Sequence, residues 1–174
     1  PFVGRAGQLL TKIIEAIGKM INTALASPYS LERYLELADV LVGAVLLHGR
    51  KTPHVITETL VRKMRPGSVI IDVSIDQGGC VETSRPTTLS DPVFVKHGVT
   101  HYCVPNLPSS VARTASHALN NVVIPFVEEI AADGAQAFES NAALRRGVYM
   151  TRGQCLQEEL AGLLGWEYSP NDLR

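Results

Sequence analysis

Polar side chains with the potential for chemistry follow an apolar run near the middle of the sequence. Residues 68–73 are rich in β-branched apolar side chains, which predicts a strand buried on both faces of a parallel sheet. In open α/β sheets, ligands bind outside the carboxyl ends of the strands. Asp76, just past this strand, is therefore predicted to be the centre of a ligand site. The alternative is an aspartate that only caps the turn before Gly78 and Gly79.

Two more polar positions follow predicted strands. The apolar residues 39–46 precede a polar loop that begins at His48, and residues 100–104 precede Asn106. Because the carboxyl ends of parallel strands meet at one edge of a sheet, both side chains are expected on the same rim as Asp76. We interpret His48 as a solvated loop histidine, with contact to a phosphate or substrate as the alternative.

The elements that would position this rim alternate between helices and strands. Ser27 and Pro28 have the residue types expected at the N-cap and the first position of a helix. In chain order, the predicted elements are helix 8–17, strand 20–25, a helix that opens at Ser27, strand 39–46, helix 57–64, strand 68–73, a surface loop at 82–92, a short helix at 93–97 and strand 100–104. Such alternation with short links is typical of right-handed βαβ units on a parallel sheet.

The remainder of the chain is predicted to be mainly helical. A long helix is expected from Ser109 or Ser110 to about residue 130, with a kink at Pro125 because proline removes one backbone hydrogen bond. A helix at 136–140, a strand at 148–151 and a helix at 154–164 follow.

A glycine-rich phosphate loop is not evident in the sequence. Dinucleotide folds begin with a strand and a G-x-G-x-x-G turn, whose helix receives the pyrophosphate. Residues 4–7, Gly-Arg-Ala-Gly, resemble this pattern only loosely, and no apolar strand is predicted before them. A phosphate loop at these residues is the less favoured interpretation.

The composition argues against several classes of protein. The 174 residues include 16 Lys and Arg against 17 Asp and Glu, and the net charge of -1 offers no field for nucleic acid or an acidic membrane. No apolar run approaches the ~20 residues that span a bilayer, and the start lacks the apolar core of a secretory signal. Three widely spaced cysteines without a CxxC pair indicate reduced thiols in a cytoplasmic protein and no metal site.

Three other reactive side chains receive structural interpretations. Asp72 lies within the strand 68–73, where a hydrogen-bonding role is favoured over chemistry. His101 begins a strand and is interpreted as a histidine satisfied in the core or at a sheet edge. Cys80 has no basic partner visible in the sequence, so packing is favoured over a thiol mechanism.

Several segments of the chain carry a resemblance to a known family. They are residues 37–46, 64–84, 86–88, 91–92, 101–106, 113–114 and 118–121. Together they resemble bacterial alanine dehydrogenase, and the resemblance extends over nearly everything from about Ser27 to the end. The NAD-binding subunit of proton-translocating transhydrogenase shares the phrase Gly-Ser-Val-Ile-Ile-Asp at residues 67–72, but its usual continuation differs from Ile-Asp-Gln-Gly-Gly-Cys at residues 75–80.

The resemblance implies a fold, a reaction and a set of site residues. The fold would be the distal part of a doubly wound, Rossmann-type parallel sheet plus a C-terminal piece of a second α/β domain. The reaction would be the reversible NAD-dependent oxidation of L-alanine to pyruvate and ammonia, carried out by a homo-hexamer. By motif, Asp76 resembles the family's catalytic aspartate, beside the nicotinamide ribose and the substrate.

The same resemblance implies which residues contact NAD. They are Ser27 near the adenine, the backbone of Val45 and Leu46 on the adenosine side, Asp76 at the nicotinamide ribose, and Val73, Asn106 and Leu107 along the nicotinamide.

The resemblance also implies a domain boundary. Residues 1–111 would form a partial dinucleotide-binding domain that lacks the glycine-rich first strand, turn and helix, and residues 112–174 would form the crossover helix and the C-terminal part of the substrate domain. Chains of the family are longer, and their other half holds the substrate-binding arginine and lysine, the catalytic histidine and the glycine-rich loop. This chain by itself is therefore expected to be inactive. The alternatives are a non-catalytic remnant or oligomerising module of the same fold, and a transhydrogenase-type NAD domain.

Overall fold

The computed structural model describes residues 2–4, 22–47 and 51–169. These residues form two units, one that ends at Leu107 and one that runs from Pro108 onward. The functional assignment of residues 1–111 and 112–174 to a coenzyme domain and a substrate domain stays a prediction.

A mixed four-stranded sheet organises the first unit. Its strands are β3 (Val40–Gly43), β4 (Val69–Asp72), β5 (Val93–Lys96) and β6 (Val99–Tyr102), in the spatial order β3-β4-β6-β5. The first three strands in this order are parallel, and β5 runs antiparallel along β6 at the edge. Gly43 lies beside Asp72, and Ile71 lies beside Tyr102, so the carboxyl ends of the parallel strands form one rim. The predicted α/β class is confirmed.

Helices cover this sheet and build its core. Helix α1 (Pro28–Leu35) begins after Ser27, as predicted, and helix α2 (Glu58–Val61) begins after Thr57 and is shorter than predicted. The buried cluster consists of Leu35, Ile56, Val61, Met64, Ile70, Cys80, Val81 and Val99. Ile70, in the middle of β4, is fully buried, whereas Val69 and Ile71 on the other face are half-buried. The apolar run is therefore a central strand, as predicted, but it is completely buried on one face only.

A separate pair of short strands precedes helix α1. Strand β1 (Phe2–Gly4) is parallel to strand β2 (Thr23–Leu25). The expectation that no strand stands before Gly4 was therefore wrong, because a strand of three residues is too short to give a periodic or an apolar signal. Residues 5–7, the predicted helix 8–17 and the first two residues of the predicted strand 20–25 lie outside the described residues.

The short helix predicted at residues 93–97 was wrong, because Val93–Lys96 form strand β5. The side chains of Val93–Lys96 alternate between exposed and half-buried, which is the pattern of an edge strand. His97 and Gly98, at φ of 56° and 76°, form the two-residue turn that leads into β6. The preceding residues 82–92 contain no helix or strand, as predicted, although Thr83 and Thr87 within them are buried.

The second unit is mainly helical. Its elements are α3 (Ala112–Asp133), α4 (Gln136–Ser140), α5 (Ala142–Arg146), β7 (Met150–Thr151), β8 (Gln154–Cys155) and α6 (Glu158–Leu164). The helix predicted to begin at residue 154 was wrong at its start, because Arg152 and Gly153 turn the chain at positive φ and pair β7 with β8. Pro125 lies inside α3, and the kink there stays a prediction. No described helix combines the length and the hydropathy needed to cross a bilayer.

Candidate functional site

The loop that follows strand β4 carries Asp76. Residues Val73–Gln77 form a short 3₁₀ helix, and Gly78 and Gly79 follow it at φ of 97° and 79°. The Asp76 side chain is exposed, and its Oδ1 accepts a hydrogen bond of 2.9 Å from the backbone N–H of Asn106. The hydrogen bond brings together two residues that the sequence analysis expected on one rim.

Asn106 stands where the chain leaves strand β6. Its φ of 50° lies in the left-handed region, which asparagine tolerates better than most residues. This conformation accompanies a backbone N–H that is directed at Asp76 instead of at a neighbouring strand. The next residue, Leu107, is half-buried and begins a 3₁₀ helix, Leu107–Val111.

The segment after strand β3 forms the other side of the rim. The backbone carbonyl of Val45 accepts a hydrogen bond of 2.9 Å from Ser74 Oγ, which joins this segment to the Asp76 loop. Leu46 is 59% exposed and Val73 is 42% exposed, so both present apolar surface to solvent. Among the residues predicted to contact the cofactor, Val73 thus lies within the loop that carries Asp76, and Val45 and Asn106 are hydrogen-bonded to that loop.

The buried carboxylate of Asp72 holds the two ends of this loop. Its oxygens accept hydrogen bonds from the backbone N–H groups of Ser74 (3.1 Å), Cys80 (3.0 Å) and Val81 (3.1 Å). The Cys80 thiol lies 3.5 Å from Asp72 Oδ1, and burial together with this carboxylate raises the pKa of the thiol from 9.0 to about 11. Asp72 thus makes structural hydrogen bonds, as predicted, and Cys80 packs in the buried core, as predicted.

Two glycines, Gly43 and Gly79, allow this close packing. A Cβ atom on Gly43 would stand 2.4 Å from Cys80 Sγ, and one on Gly79 would stand 2.9 Å from Asp72 Oδ2. The Lys51 side chain packs across Gly78, where a Cβ atom on the glycine would stand 2.9 Å from Lys51 Cε. Contacts such as Gly43 with Cys80 and Lys51 with Gly78 join residues far apart in sequence, so a local sequence pattern does not predict them.

Ser27 serves helix α1 as its N-cap. Its Oγ accepts the backbone N–H of Ser30 at 3.1 Å, and the Ser30 hydroxyl in turn accepts the backbone N–H of Ser27 at 2.9 Å. This reciprocal capping box explains the serine without any ligand. The hydrogen bonds of Ser27 described here connect it to helix α1 and not to the Asp76 loop.

His101 is a core residue, as predicted. Its Nδ1–H donates to the Val99 carbonyl at 3.0 Å, and its Nε2 accepts from the Thr83 hydroxyl at 2.8 Å in the neutral ring. The ring stacks on Phe94 at 4.8 Å, and the guanidinium of Arg85 covers the same Phe94 ring at 4.3 Å. Burial lowers the pKa of His101, which keeps the ring neutral.

Two further expectations concerned His48 and metal binding. His48 lies outside the described residues. Among residues 2–4, 22–47 and 51–169, no group of three His, Cys, Asp or Glu side chains is arranged to hold a metal ion.

Comparison with known proteins shows which family the chain is similar to. The profile described as "Alanine dehydrogenase/PNT, C-terminal domain" matches residues 7–158. The chain is 44% identical to the alanine dehydrogenase of Bacillus subtilis (strain 168) over 163 residues, which are 92% of this chain and 43% of the relative. It is also 44% identical to the alanine dehydrogenase of Mycobacterium tuberculosis (strain ATCC 25618 / H37Rv) over 146 residues, which are 83% of this chain and 39% of the relative. The chain thus spans less than half the length of these relatives.

Solved structures give a consistent result. An L-alanine dehydrogenase superposes with a TM-score of 0.82 at 35% sequence identity, covering 99% of this chain and 47% of that chain. A transhydrogenase from Sinorhizobium meliloti superposes with a TM-score of 0.61 at 20% identity, covering 72% of this chain and 35% of that chain. The second likeness concerns the fold alone.

Proposed function

Since the chain belongs to the family of the alanine dehydrogenase/PNT C-terminal domain, we propose that it forms the coenzyme-binding part of an NAD-dependent alanine dehydrogenase. The reaction is the reversible conversion of L-alanine, NAD⁺ and water to pyruvate, ammonium, NADH and a proton. The observation that carries this proposal is the exposed Asp76 carboxylate, fixed by the Asn106 N–H at the carboxyl ends of two parallel strands. This is the edge at which open α/β sheets bind their ligands.

The residues of the rim fit a dinucleotide with a nicotinamide ring. Leu46 and Val73 offer exposed apolar surface of the kind that a planar ring covers, and Asp76 offers an acceptor for a ribose hydroxyl. Bound here, NAD would supply the hydride acceptor. Val45 and Leu46 would hold the adenosine side through their backbone, Ser27 would approach the adenine, and Asn106 and Leu107 would line the nicotinamide.

Asp76 would act on the amino group of the substrate. Deamination requires a proton to leave the substrate nitrogen as hydride leaves the α-carbon, so a carboxylate at this place orients the amine and assists the base. Oδ1 is engaged by the Asn106 N–H. Oδ2, the other carboxylate oxygen, is the one we assign to the substrate.

Assembly and location are part of the same proposal. The resemblance favours a homo-hexamer that works in the cytoplasm, without nucleic acid or membrane partners. Size-exclusion chromatography with light scattering would measure the oligomer directly, and a monomer would contradict the hexamer.

The proposed activity is tested with the protein as its source organism produces it. Initial rates of NADH formation are measured with L-alanine, with D-alanine and without an amino acid, and NAD binding is measured by titration calorimetry. The proposal predicts NADH formation with L-alanine only. Binding of NAD without alanine-dependent reduction would instead favour a transhydrogenase-type domain, and absence of both would favour a non-catalytic module.

A further inference from the structure

The buried carboxylate of Asp72 accepts hydrogen bonds from both ends of the loop that carries Asp76. The side chain of Asp72 is 1% exposed and accepts the N–H of Ser74 at the start of the loop. It also accepts the N–H groups of Cys80 and Val81, eight and nine residues further along. We refer to residues 72–81, closed through this carboxylate, as the Asp72 ring.

The ring has little freedom to rearrange. Within it, the Gly78 N–H donates to the Ile75 carbonyl at 3.0 Å, and the Gly79 N–H donates to the Ser74 carbonyl at 2.9 Å. Ser74, Cys80 and Val81 are themselves buried, so an amide that lost its acceptor on Asp72 would not recover a hydrogen bond to water.

Asp76 occupies the exposed middle of the ring. The 3₁₀ helix Val73–Gln77 has Asp72 as its N-cap, and Asp76 is the fourth residue of this helix. A displacement of either end of the ring therefore moves Asp76 relative to Asn106, with which it shares a single 2.9 Å hydrogen bond.

We propose that Asp72 is a positioning residue for Asp76: its buried carboxylate closes the ring and thereby sets the carboxylate of Asp76 against the Asn106 N–H and the substrate. The catalytic part of this statement rests on the proposed function, whereas the geometric part does not. The two parts can therefore be tested separately.

The geometric test is hydrogen exchange of the Asn106 amide, measured by NMR in Asp72→Asn. Asparagine has nearly the shape of aspartate, but its NH₂ group replaces one of the two acceptor oxygens. Asn106 is exposed, so its amide should be protected only while Asp76 is in place. We expect faster exchange of this amide in Asp72→Asn, and in Asp76→Ala as the positive control. Exchange at the wild-type rate in Asp72→Asn would overturn the proposal, whatever the reaction of the protein.

The catalytic test uses the same variant in the alanine-dependent assay. We expect kcat to fall about 100-fold with a much smaller change in KM for NAD, because misplacement of a reacting group by about 1 Å has a cost of this size. In the Asp76→Asn background the same substitution should reduce kcat little further, since residues that act as a unit are not additive. If the double variant instead loses kcat by the product of the two single-variant losses, the proposal is overturned.

Thr83→Val is the matched control for lost stability. Thr83 is buried and hydrogen-bonded to His101, but it is bonded to no residue of the ring. If Thr83→Val lowers the melting temperature as much as Asp72→Asn and loses as much kcat and Asn106 protection, Asp72 is merely structural.

Should Asp72→Asn not fold, Gly79→Ala replaces it, because the Cβ atom of the alanine would stand 2.9 Å from Asp72 Oδ2. Asn106 amide exchange and kcat are then measured in Gly79→Ala, with the same expected and contradicting results. A wild-type protein without alanine-dependent activity overturns the proposed function and leaves the exchange test to decide the geometry.

Discussion

The backbone N–H of Asn106 donates a hydrogen bond of 2.9 Å to Oδ1 of Asp76, thirty residues earlier in the chain. This bond links the loops at the carboxyl ends of β6 and β4, which are adjacent parallel strands. Because the donor is a backbone amide, the position of the carboxylate does not depend on the Asn106 side chain. The backbone hydrogen bond of Asn106 and the proposed contact of its side chain with the nicotinamide can therefore be tested by separate substitutions.

Asn106→Gly and Asn106→Ala both remove the side chain and keep the backbone N–H. Glycine accepts the φ of 50° freely, whereas alanine carries a Cβ atom that is strained there, so we expect the alanine variant to be less stable by about 1 kcal/mol. If the amide side chain contacts the nicotinamide, KM for NAD rises in both variants. Urea unfolding and steady-state kinetics measure the two effects. A wild-type KM in Asn106→Gly would contradict the proposed contact.

Ser27→Ala should reduce stability by about 1 kcal/mol, because it removes the N-cap of helix α1. Ser30→Ala is the matched control, since it breaks the same capping box from the other side and lies outside the proposed cofactor contacts. We expect both variants to lower the urea midpoint and only Ser27→Ala to raise KM for NAD. Equal KM values in the two variants would assign Ser27 to capping alone.

Gly43→Ala should destabilise the protein by about 1–3 kcal/mol, because the added Cβ atom would stand 2.4 Å from Cys80 Sγ. Adding Cys80→Ala removes that sulfur atom and should restore part of the loss in a double-mutant cycle measured by urea unfolding. Gly162→Ala in helix α6 is the matched control, because its Cβ atom would meet nothing within 4 Å and should be neutral or stabilising. Additive effects at Gly43 and Cys80 would contradict the contact.

His101 should make the protein less stable in acid. Burial lowers its pKa in the folded state below the ordinary 6.5, so the unfolded chain binds the proton more readily. The stabilising contribution is present above pH 6.5 and is lost as the pH falls through that value toward the lower pKa of the folded protein. Urea midpoints measured above and below this pH should differ more in the wild type than in His101→Gln. Identical pH dependence in the two proteins would refute the assignment.

Local sequence patterns predicted the elements that carry the site. The apolar run at residues 68–73 became β4, the Ser27-Pro28 pair opened α1, and Asp76 followed the carboxyl end of a parallel strand. These features depend on side chains close together in sequence, where periodicity and capping have a direct physical cause.

Other features depend on contacts that sequence order conceals. Val93–Lys96 is a strand because β6 pairs with it, whereas a short helix was predicted at residues 93–97 from the local sequence. The fit of Gly43 against Cys80 joins different segments of the chain. The Asp72 carboxylate accepts amides up to nine residues further along, beyond the range of a local pattern. The bond between Asp76 and Asn106 is of the same kind, so the rim was predictable but its geometry was not.

The measurement that tests the central claim most directly is the effect of Asp76→Asn on turnover and on coenzyme binding. The protein, as its source organism produces it, is assayed for kcat with L-alanine and for Kd of NAD by calorimetry. We predict that kcat falls about 100-fold or more while Kd for NAD rises far less, because asparagine keeps an acceptor oxygen for the ribose. Asp39→Asn, which removes an exposed carboxylate elsewhere in the first unit, should change neither. Equal effects of Asp76→Asn on turnover and on NAD binding, or no effect on turnover, would contradict a catalytic Asp76.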